Sequence, residues 1–140
     1  MENKKRVFVV DDDDDARFMA SAVLSQGGYE VSSASSGIEA LEIIDQVRPD
    51  LIVLDVMMED CVAGFRVVNR LRDTDWDGYK PGFETTPILM LTSVQQQMKI
   101  DFAKHAGTSL LRVDRFMEKP VKPRELLAAV DAMVGQPASN

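Results

Sequence analysis

The sequence contains one cysteine and one histidine among its 140 residues. Cys61 therefore cannot form an intramolecular disulfide, and without an orienting motif Cys61 and His105 do not indicate a thiol nucleophile pair. No apolar run approaches the roughly 18 to 20 residues that span a bilayer. The N-terminus also lacks the apolar stretch of a signal peptide. We therefore expect a cytoplasmic protein that does not interact with a membrane.

Positive charge is scarce as well, because 16 Lys and Arg residues stand against 23 Asp and Glu residues and give a formal net charge of −7. Nucleic-acid backbones are bound by clustered Lys and Arg, so direct nucleic-acid binding by this chain is disfavoured. The chain is 45% hydrophobic, which at this length suffices for one core. We expect one domain over residues 1–134, with 135–140 as a flexible tail or the start of a linker.

Short runs of β-branched apolar residues alternate with stretches of helical periodicity, which predicts βαβ units. Because the runs are nearly all apolar, they are typical of a parallel sheet covered by helices on both faces. The S-x-x-E sequence from Ser36 to Glu39 predicts a capping box at the start of the second helix. The apolar face of that helix is expected to include Ile38, Leu41, Ile43 and Ile44. The sequence thus predicts a five-stranded α/β fold with strands at Arg6–Val10, Glu30–Ser33, Leu51–Leu54, Ile88–Leu91 and Phe116–Glu118.

Polar residues follow four of these strands, and in a parallel sheet the carboxyl ends of the strands meet at one edge, where ligands bind. Three carboxylates in one place repel one another unless a cation offsets them, and Mg²⁺ or Mn²⁺ prefers such oxygen ligands. If one carboxylate attacks a phosphorus atom, the metal and the lysine neutralise the transferring group, and an acyl phosphate results. The residues concerned are Asp11, Asp12, Asp55, Thr92, Ser93, Lys119 and Pro120.

The segments VFVVDD, PDLIVLDVMM, PILMLTS and FMEKP, in this order, resemble the receiver domains of two-component response regulators over roughly residues 5 to 134. The resemblance implies a flavodoxin-like, doubly wound parallel sheet with strand order 2-1-3-4-5. It implies that Asp55 is the phosphoacceptor. It also implies that Asp12 is a direct Mg²⁺ ligand, that Asp11 binds the metal largely through water, and that Met57 supplies a backbone carbonyl.

The same resemblance implies roles for the remaining positions. Thr92, Ser93 and Lys119 would contact the phosphoryl group, and the Lys119–Pro120 bond would be cis, which is plausible only before proline. Thr92 and Phe116 would couple phosphorylation to the face formed by the fourth helix, fifth strand and fifth helix. Such a domain is not an enzyme, although it assists its own phosphotransfer and dephosphorylation.

The partners are implied in the same way. A sensor histidine kinase or a phosphotransfer protein would donate the phosphoryl group, whereas the downstream protein or output domain stays open. A second phosphorylated copy of the chain is a further partner that the resemblance allows.

The loop after the acceptor departs from the family pattern. Glu59 stands where the family usually has proline, and one residue is extra before Gly64. Proline would fix a backbone dihedral, so we expect a more mobile loop unless metal orders it. Met57 and Val94 occupy the positions that influence dephosphorylation in the family. Because neither side chain can orient an attacking water, we expect a long-lived phosphoryl group.

Two other segments depart from the family or stand out in composition. Extra residues between Thr92 and Phe116 are expected to alter partner choice more than phosphoryl chemistry. The stretch Asp73–Thr86 is rich in turn-forming residues and predicts a long loop, which is uncommon without a reason. Its aromatic residues Trp76, Tyr79 and Phe83 are expected to pack back on the core, with a partner surface as the alternative.

The sequence argues against two other functions and leaves a third open. A haloacid-dehalogenase-type phosphatase needs a second Asp where this chain has Met57. A calcium loop of EF-hand type over Asp11–Asp15 fails because Ala16 replaces its glycine and Ala22 its last carboxylate; Asp13 to Asp15 fit the N-terminus of the first helix instead. A receiver-like interaction module that no longer accepts phosphate stays open as the alternative.

Overall fold

A computed structural model describes residues 4–56, 63–72, 80–92 and 113–135. These residues form one parallel sheet of five strands in the order β2-β1-β3-β4-β5, which confirms the predicted fold class. The strands are β1 (Arg6–Val10), β2 (Glu30–Ala34), β3 (Leu51–Asp55), β4 (Ile88–Thr92) and β5 (Arg115–Glu118). The helices are α1 (Asp14–Gln26), α2 (Gly37–Val47), α3 (Ala63–Arg72) and α4 (Pro123–Val134).

Helix α4 follows β5 and corresponds to the fifth helix of the family pattern. Most of the stretch between Thr92 and Phe116, where the family has its fourth helix, lies outside the described residues (93–112), as do Trp76 and Tyr79 of the predicted long loop. Among the helices described, none has the length and apolar character needed to cross a membrane.

Each strand begins or ends within one residue of its prediction. In β3 and β4 the difference arises because backbone pairing continues past the last apolar side chain. Strand β3 extends to Asp55 and β4 to Thr92, and the Val56 N–H still donates to the Leu91 carbonyl at 3.1 Å. Two of the predicted site residues are therefore the last residues of central strands and take their positions from the sheet.

The sheet is buried on both faces, as the nearly continuous apolar strands predict. Alternate side chains of each strand point to opposite faces. Phe8 and Val10 of β1 belong to the core under α2 and α3. Val7 and Val9 belong to the core under α1 and α4.

Helix α1 has Asp13 as its N-cap, with the Asp13 side chain accepting a hydrogen bond from the Asp15 N–H at 3.0 Å. The acidic residues at its start face the positive end of the helix dipole. The helix ends at Gln26, directly before Gly27 and Gly28. Helix α4 begins with Pro123, at a first-turn position where the N–H that proline lacks has no partner within the helix.

Helix α2 corrects one prediction. Ser36 caps it by accepting from the Glu39 N–H at 3.0 Å, while the Glu39 carboxylate accepts from the Ser35 N–H at 2.6 Å. The prediction that Ile38 lies on the apolar face of this helix is wrong, because Ile38 is 65% exposed. The buried positions of α2 are Gly37, Ala40 and Ile44, and at 3.6 residues per turn Ile38 projects about 100° away from that line.

Candidate functional site

The carboxyl edge of the sheet brings together four of the predicted site residues. Asp11 and Asp12 follow β1, Asp55 ends β3, and Lys119 follows β5. Asp11 and Asp55 are 2% and 3% exposed, although both are acids. Asp12 is exposed. Acids are rarely buried unless they are paired, so the burial of two carboxylates at one edge needs a compensating charge.

The three carboxylates form a compact oxygen cluster. Asp11, Asp12 and Asp55 each offer one oxygen, and these oxygens lie within 4.8 Å of one another. An all-oxygen set that includes buried and exposed members fits a hard divalent cation that retains waters, which is how Mg²⁺ binds in proteins. Within the part of the chain that is described, this cluster fits the predicted metal.

Lys119 supplies positive charge to the same cluster. Its Nζ lies 3.2 Å from Asp55 Oδ2 and 3.5 Å from Asp11 Oδ2. Burial by itself would lower the pKa of Lys119, but the neighbouring Asp55 and Asp11 carboxylates outweigh burial and raise the pKa above its ordinary value. Lys119 is therefore a permanent cation at neutral pH.

Asp55 is held in an environment that disfavours its charge. Burial is the largest cause and the charge of Asp11 the next, and together they raise the pKa of Asp55 to about 6 although Lys119 opposes them. In the absence of a metal ion, the Asp55 carboxylate thus ionises at a higher pH than an ordinary Asp. A divalent cation at the cluster would favour the ionised form, which is the nucleophilic one.

Asp11 is positioned by contacts that the sequence did not predict. Its backbone N–H donates to the Ala34 carbonyl at 3.2 Å, and its Oδ1 accepts from the Asp13 N–H at 3.0 Å. Arg17 on α1 donates to the Asp11 carbonyl at 2.8 Å. The acidic run marked the start of the helix, but no local pattern indicated that Arg17 reaches back across it.

Gly64 lets helix α3 approach strand β3, which ends at Asp55. The Gly64 N–H donates to the Val56 carbonyl at 2.9 Å. A Cβ on Gly64 would lie 2.5 Å from the Asp55 carbonyl oxygen and 2.8 Å from the Val56 Cα. Both atoms are backbone atoms, so only glycine fits here without displacing the chain at Asp55.

Three further predicted residues, Thr92, Phe116 and Pro120, are among those that the structure describes. Thr92 is completely buried at the end of β4, and its carbonyl accepts from the Lys119 N–H at 2.7 Å. The Lys119–Pro120 peptide bond is cis. Phe116 of β5 is half-buried and packs on the core under α2 and α3. The predicted Met57 and Ser93 lie outside the described residues, as do Glu59 and Val94.

Comparison with known proteins identifies the family. A family model described as the response regulator receiver domain matches residues 7–131. The alkaline phosphatase synthesis transcriptional regulatory protein PhoP of Bacillus subtilis is 38% identical over 130 residues, which are 93% of this chain and 48% of that protein. The response regulator MprA of Mycobacterium leprae is 36% identical over 129 residues, 92% of this chain and 50% of that protein. The chain thus spans about half the length of the curated relatives it matches.

Solved structures of response regulators are similar to this chain in fold and sequence. A putative response regulator from Chloroflexus aurantiacus has a TM-score of 0.76 at 31% identity, covering 96% of this chain and 100% of that one. The chemotaxis response regulator CheY4 of Vibrio cholerae has a TM-score of 0.74 at 32% identity, covering 94% and 99%. The chain therefore belongs to the response regulator receiver domain family.

Proposed function

We propose that Asp55 accepts a phosphoryl group from the phosphohistidine of a sensor histidine kinase or a phosphotransfer protein, and that Mg²⁺ or Mn²⁺ assists. The observation that carries this proposal is the buried Asp55 carboxylate, whose Oδ2 lies 3.2 Å from Lys119 Nζ inside a cluster of three acids. The Lys119 ammonium next to this buried carboxylate can neutralise negative charge that arrives at Asp55. A transferred phosphoryl group carries such negative charge on its oxygens.

In the proposed step an Asp55 oxygen forms a bond to phosphorus while the bond from phosphorus to the donor nitrogen breaks, and the electron pair leaves with the donor. The product is an acyl phosphate. Lys119 neutralises part of the negative charge on the phosphoryl oxygens, and Thr92 and Ser93 donate hydrogen bonds to them. The chain contributes these groups to its own phosphorylation and dephosphorylation without turning over a substrate, so we do not class it as an enzyme.

Asp11, Asp12 and Asp55 would hold the metal, with the Met57 carbonyl as a further ligand. When bound, a divalent cation supplies positive charge that offsets both the three carboxylates and the incoming phosphoryl oxygens.

The response to phosphorylation is proposed to pass through the last two strands. Thr92 ends β4 next to the acceptor strand, and Phe116 lies on β5, which pairs with β4. A hydroxyl shift at Thr92 and a change of the Phe116 rotamer would alter the face formed by the family's fourth helix, β5 and α4. We propose this face as the contact for a downstream protein, an output domain or a second phosphorylated copy.

The wider setting follows from the relatives. Several of them are named transcriptional regulators, and the chain matches about half of each. We therefore propose that this domain relays a signal to a downstream output, in the cytoplasm, and that the chain itself does not contact nucleic acid.

The direct test is incubation with acetyl phosphate and Mg²⁺ followed by intact-protein mass spectrometry. We expect wild type to gain the mass of one phosphoryl group. Asp55→Asn should gain none, while the matched variant Asp45→Asn, which removes an exposed carboxylate on α2, should react as wild type does. If wild type gains no mass, the proposal is wrong and the phosphate-independent interaction module is favoured. If Asp55→Asn gains the mass too, a residue other than Asp55 accepts the phosphoryl group and the proposal is also wrong.

The same reaction measures the lifetime of the phosphoryl group. With Met57 and Val94 in place of polar residues that could orient water, we propose slow loss of the added mass once the donor is removed. Rapid loss without a phosphatase would contradict this part of the proposal alone.

A further inference from the structure

A cavity of about 350 Å³ lies next to the acceptor site, between α1 and the sheet. Val9, Val53 and Leu91 of the sheet form its floor, Ala16 and Ala20 of α1 form one wall, and Leu126 of α4 forms another. The segment from Lys119 to Val121 closes it on the side of the site. The cavity lies on the face of α1 and α4, away from α2 and α3.

The cavity is larger than a packing defect. Protein interiors pack as densely as organic crystals and rarely leave voids larger than one water molecule. At about 30 Å³ for each water-sized group, the cavity holds about twelve such groups. It falls at the lower end of the size range of small-molecule pockets, which are mostly apolar with a few polar groups. Ala16 and Ala20 contribute small side chains to the lining from α1, beside the larger side chain of Met19.

The polar groups at the rim determine which molecule would fit. They are Asp11, Asp13 and Lys119. Lys119 and Asp11 already form an ion pair, with Nζ 3.5 Å from Asp11 Oδ2. Asp13 is exposed, is not one of the carboxylates in the metal cluster, and uses one oxygen to cap α1. A ligand at the rim can therefore donate a hydrogen bond to the Asp13 carboxylate and pair with its negative charge.

We propose that this cavity binds a compact apolar molecule of about two rings that carries one ammonium group, with the rings between α1 and the sheet and the ammonium at Asp13. This site lies beyond the phosphoacceptor site and does not require phosphorylation. The apolar walls bury the rings and supply most of the affinity. The rim carboxylate selects positive over negative ligands.

The test uses tryptamine as the probe and indole-3-acetate as its matched control, because the two share the ring system and differ in the sign of their charge. Binding is followed by backbone amide shifts in NMR in EDTA, without a divalent cation, so that Asp11 keeps its ion pair with Lys119 and Asp13 is left to attract the ammonium. We expect saturable shifts at α1 and at residues 119–121. The affinity for tryptamine should exceed that for indole-3-acetate by about two- to fivefold, as for an exposed ion pair.

Two variants locate the binding. Ala20→Leu fills the cavity and should weaken tryptamine binding by about tenfold or more, because the added carbons occupy the space of the rings; Ala16→Leu serves if the first variant does not fold. Asp13→Asn keeps the helix cap, since Asn caps as well as Asp, and should remove the preference for tryptamine.

The proposal is overturned if tryptamine produces no saturable shifts. It is equally overturned if the cavity-filling variant binds as wild type does. Shifts confined to other acidic surfaces would show non-specific attraction to a chain of net charge −7 and would also overturn it.

Discussion

The charged form of the Asp55 carboxylate opposes the stability of the fold. Burial and the charge of Asp11 raise the pKa of Asp55 to about 6, whereas an unfolded Asp ionises near 3.9. The folded state therefore holds the proton more tightly than the unfolded state. The bound proton therefore stabilises the folded state. This stabilisation is fully present below about pH 4 and is lost as the pH rises through about 6.

We expect Asp55→Asn to stabilise the metal-free protein at pH 7.5. The amide has no charge to bury, so the free energy of unfolding should rise by about 1 to 3 kcal/mol, with each pKa unit worth about 1.4 kcal/mol. Urea unfolding in EDTA at pH 7.5 and at pH 4 checks this, because the gain should shrink at the lower pH. Glu42→Gln, an exposed change on α2, should show no such gain. A less stable Asp55→Asn at pH 7.5 would contradict the argument.

At the scale of elements, the sequence predicted what apolar periodicity controls. Strand positions followed from β-branched runs, and the site acids followed from the ends of those runs. Ile38 was misplaced because an apolar residue in the first turn of a helix satisfies the pattern even when the helix turns it outward. Contacts between distant positions, such as Arg72 with Asp114, leave no local pattern and could not be predicted.

The Arg72 side chain joins three elements at the edge of the sheet opposite the site. It is 7% exposed and donates to the carbonyls of Phe83, Glu84 and Thr86 at 2.6 to 2.7 Å. It also pairs with Asp114 at 3.1 Å, and the Asp114 carboxylate accepts from the Ile88 N–H at 2.8 Å. The end of α3 thus holds the segment before β4 and the start of β5. Phe83 in that segment is buried, as predicted for the loop aromatics.

Arg72→Met should lower the free energy of unfolding by about 2 to 4 kcal/mol, because the carbonyls of the segment before β4 lose the Arg72 donor and the Asp114 carboxylate loses its cation. Arg72→Lys should recover only part of the loss, since an ammonium lacks the planar fork of a guanidinium. Urea unfolding measures both. Arg124→Met on the exposed side of α4 should change stability by less than about 0.5 kcal/mol. Equal losses at Arg72 and Arg124 would refute the structural role.

The close approach of α3 to β3 gives a second prediction for an element. Gly64→Ala places a methyl group against the backbone at Asp55 and Val56, so we expect a loss of about 1 to 3 kcal/mol together with slower phosphorylation. Gly27→Ala is the control, because its Cβ would meet only the flexible end of Leu127. Urea unfolding and the acetyl phosphate reaction separate the two variants. Equal behaviour would show that the approach at Gly64 is not restrictive.

For the whole molecule, the site stores electrostatic repulsion that a metal ion can relieve. Oxygens of Asp11, Asp12 and Asp55 lie within 4.8 Å of one another, with Lys119 as the neighbouring cation. Unfolding separates these groups, so a divalent cation that binds the cluster binds the folded state only. Its binding energy adds to the stability of the entire domain.

Mg²⁺ should therefore raise the free energy of unfolding of wild type, by about 2.7 kcal/mol when its concentration is 100 times the dissociation constant. Asp12→Asn should reduce this gain at a given Mg²⁺ concentration, because it removes one charged ligand. Asp12→Asn also relieves part of the repulsion, but Asp12 is exposed, so the stability without metal should rise only slightly. Urea unfolding with Mg²⁺ or with NaCl of equal ionic strength separates binding from screening. If NaCl stabilises as strongly as Mg²⁺, or if Asp12→Asn gains as much as wild type, the three carboxylates do not form a metal site.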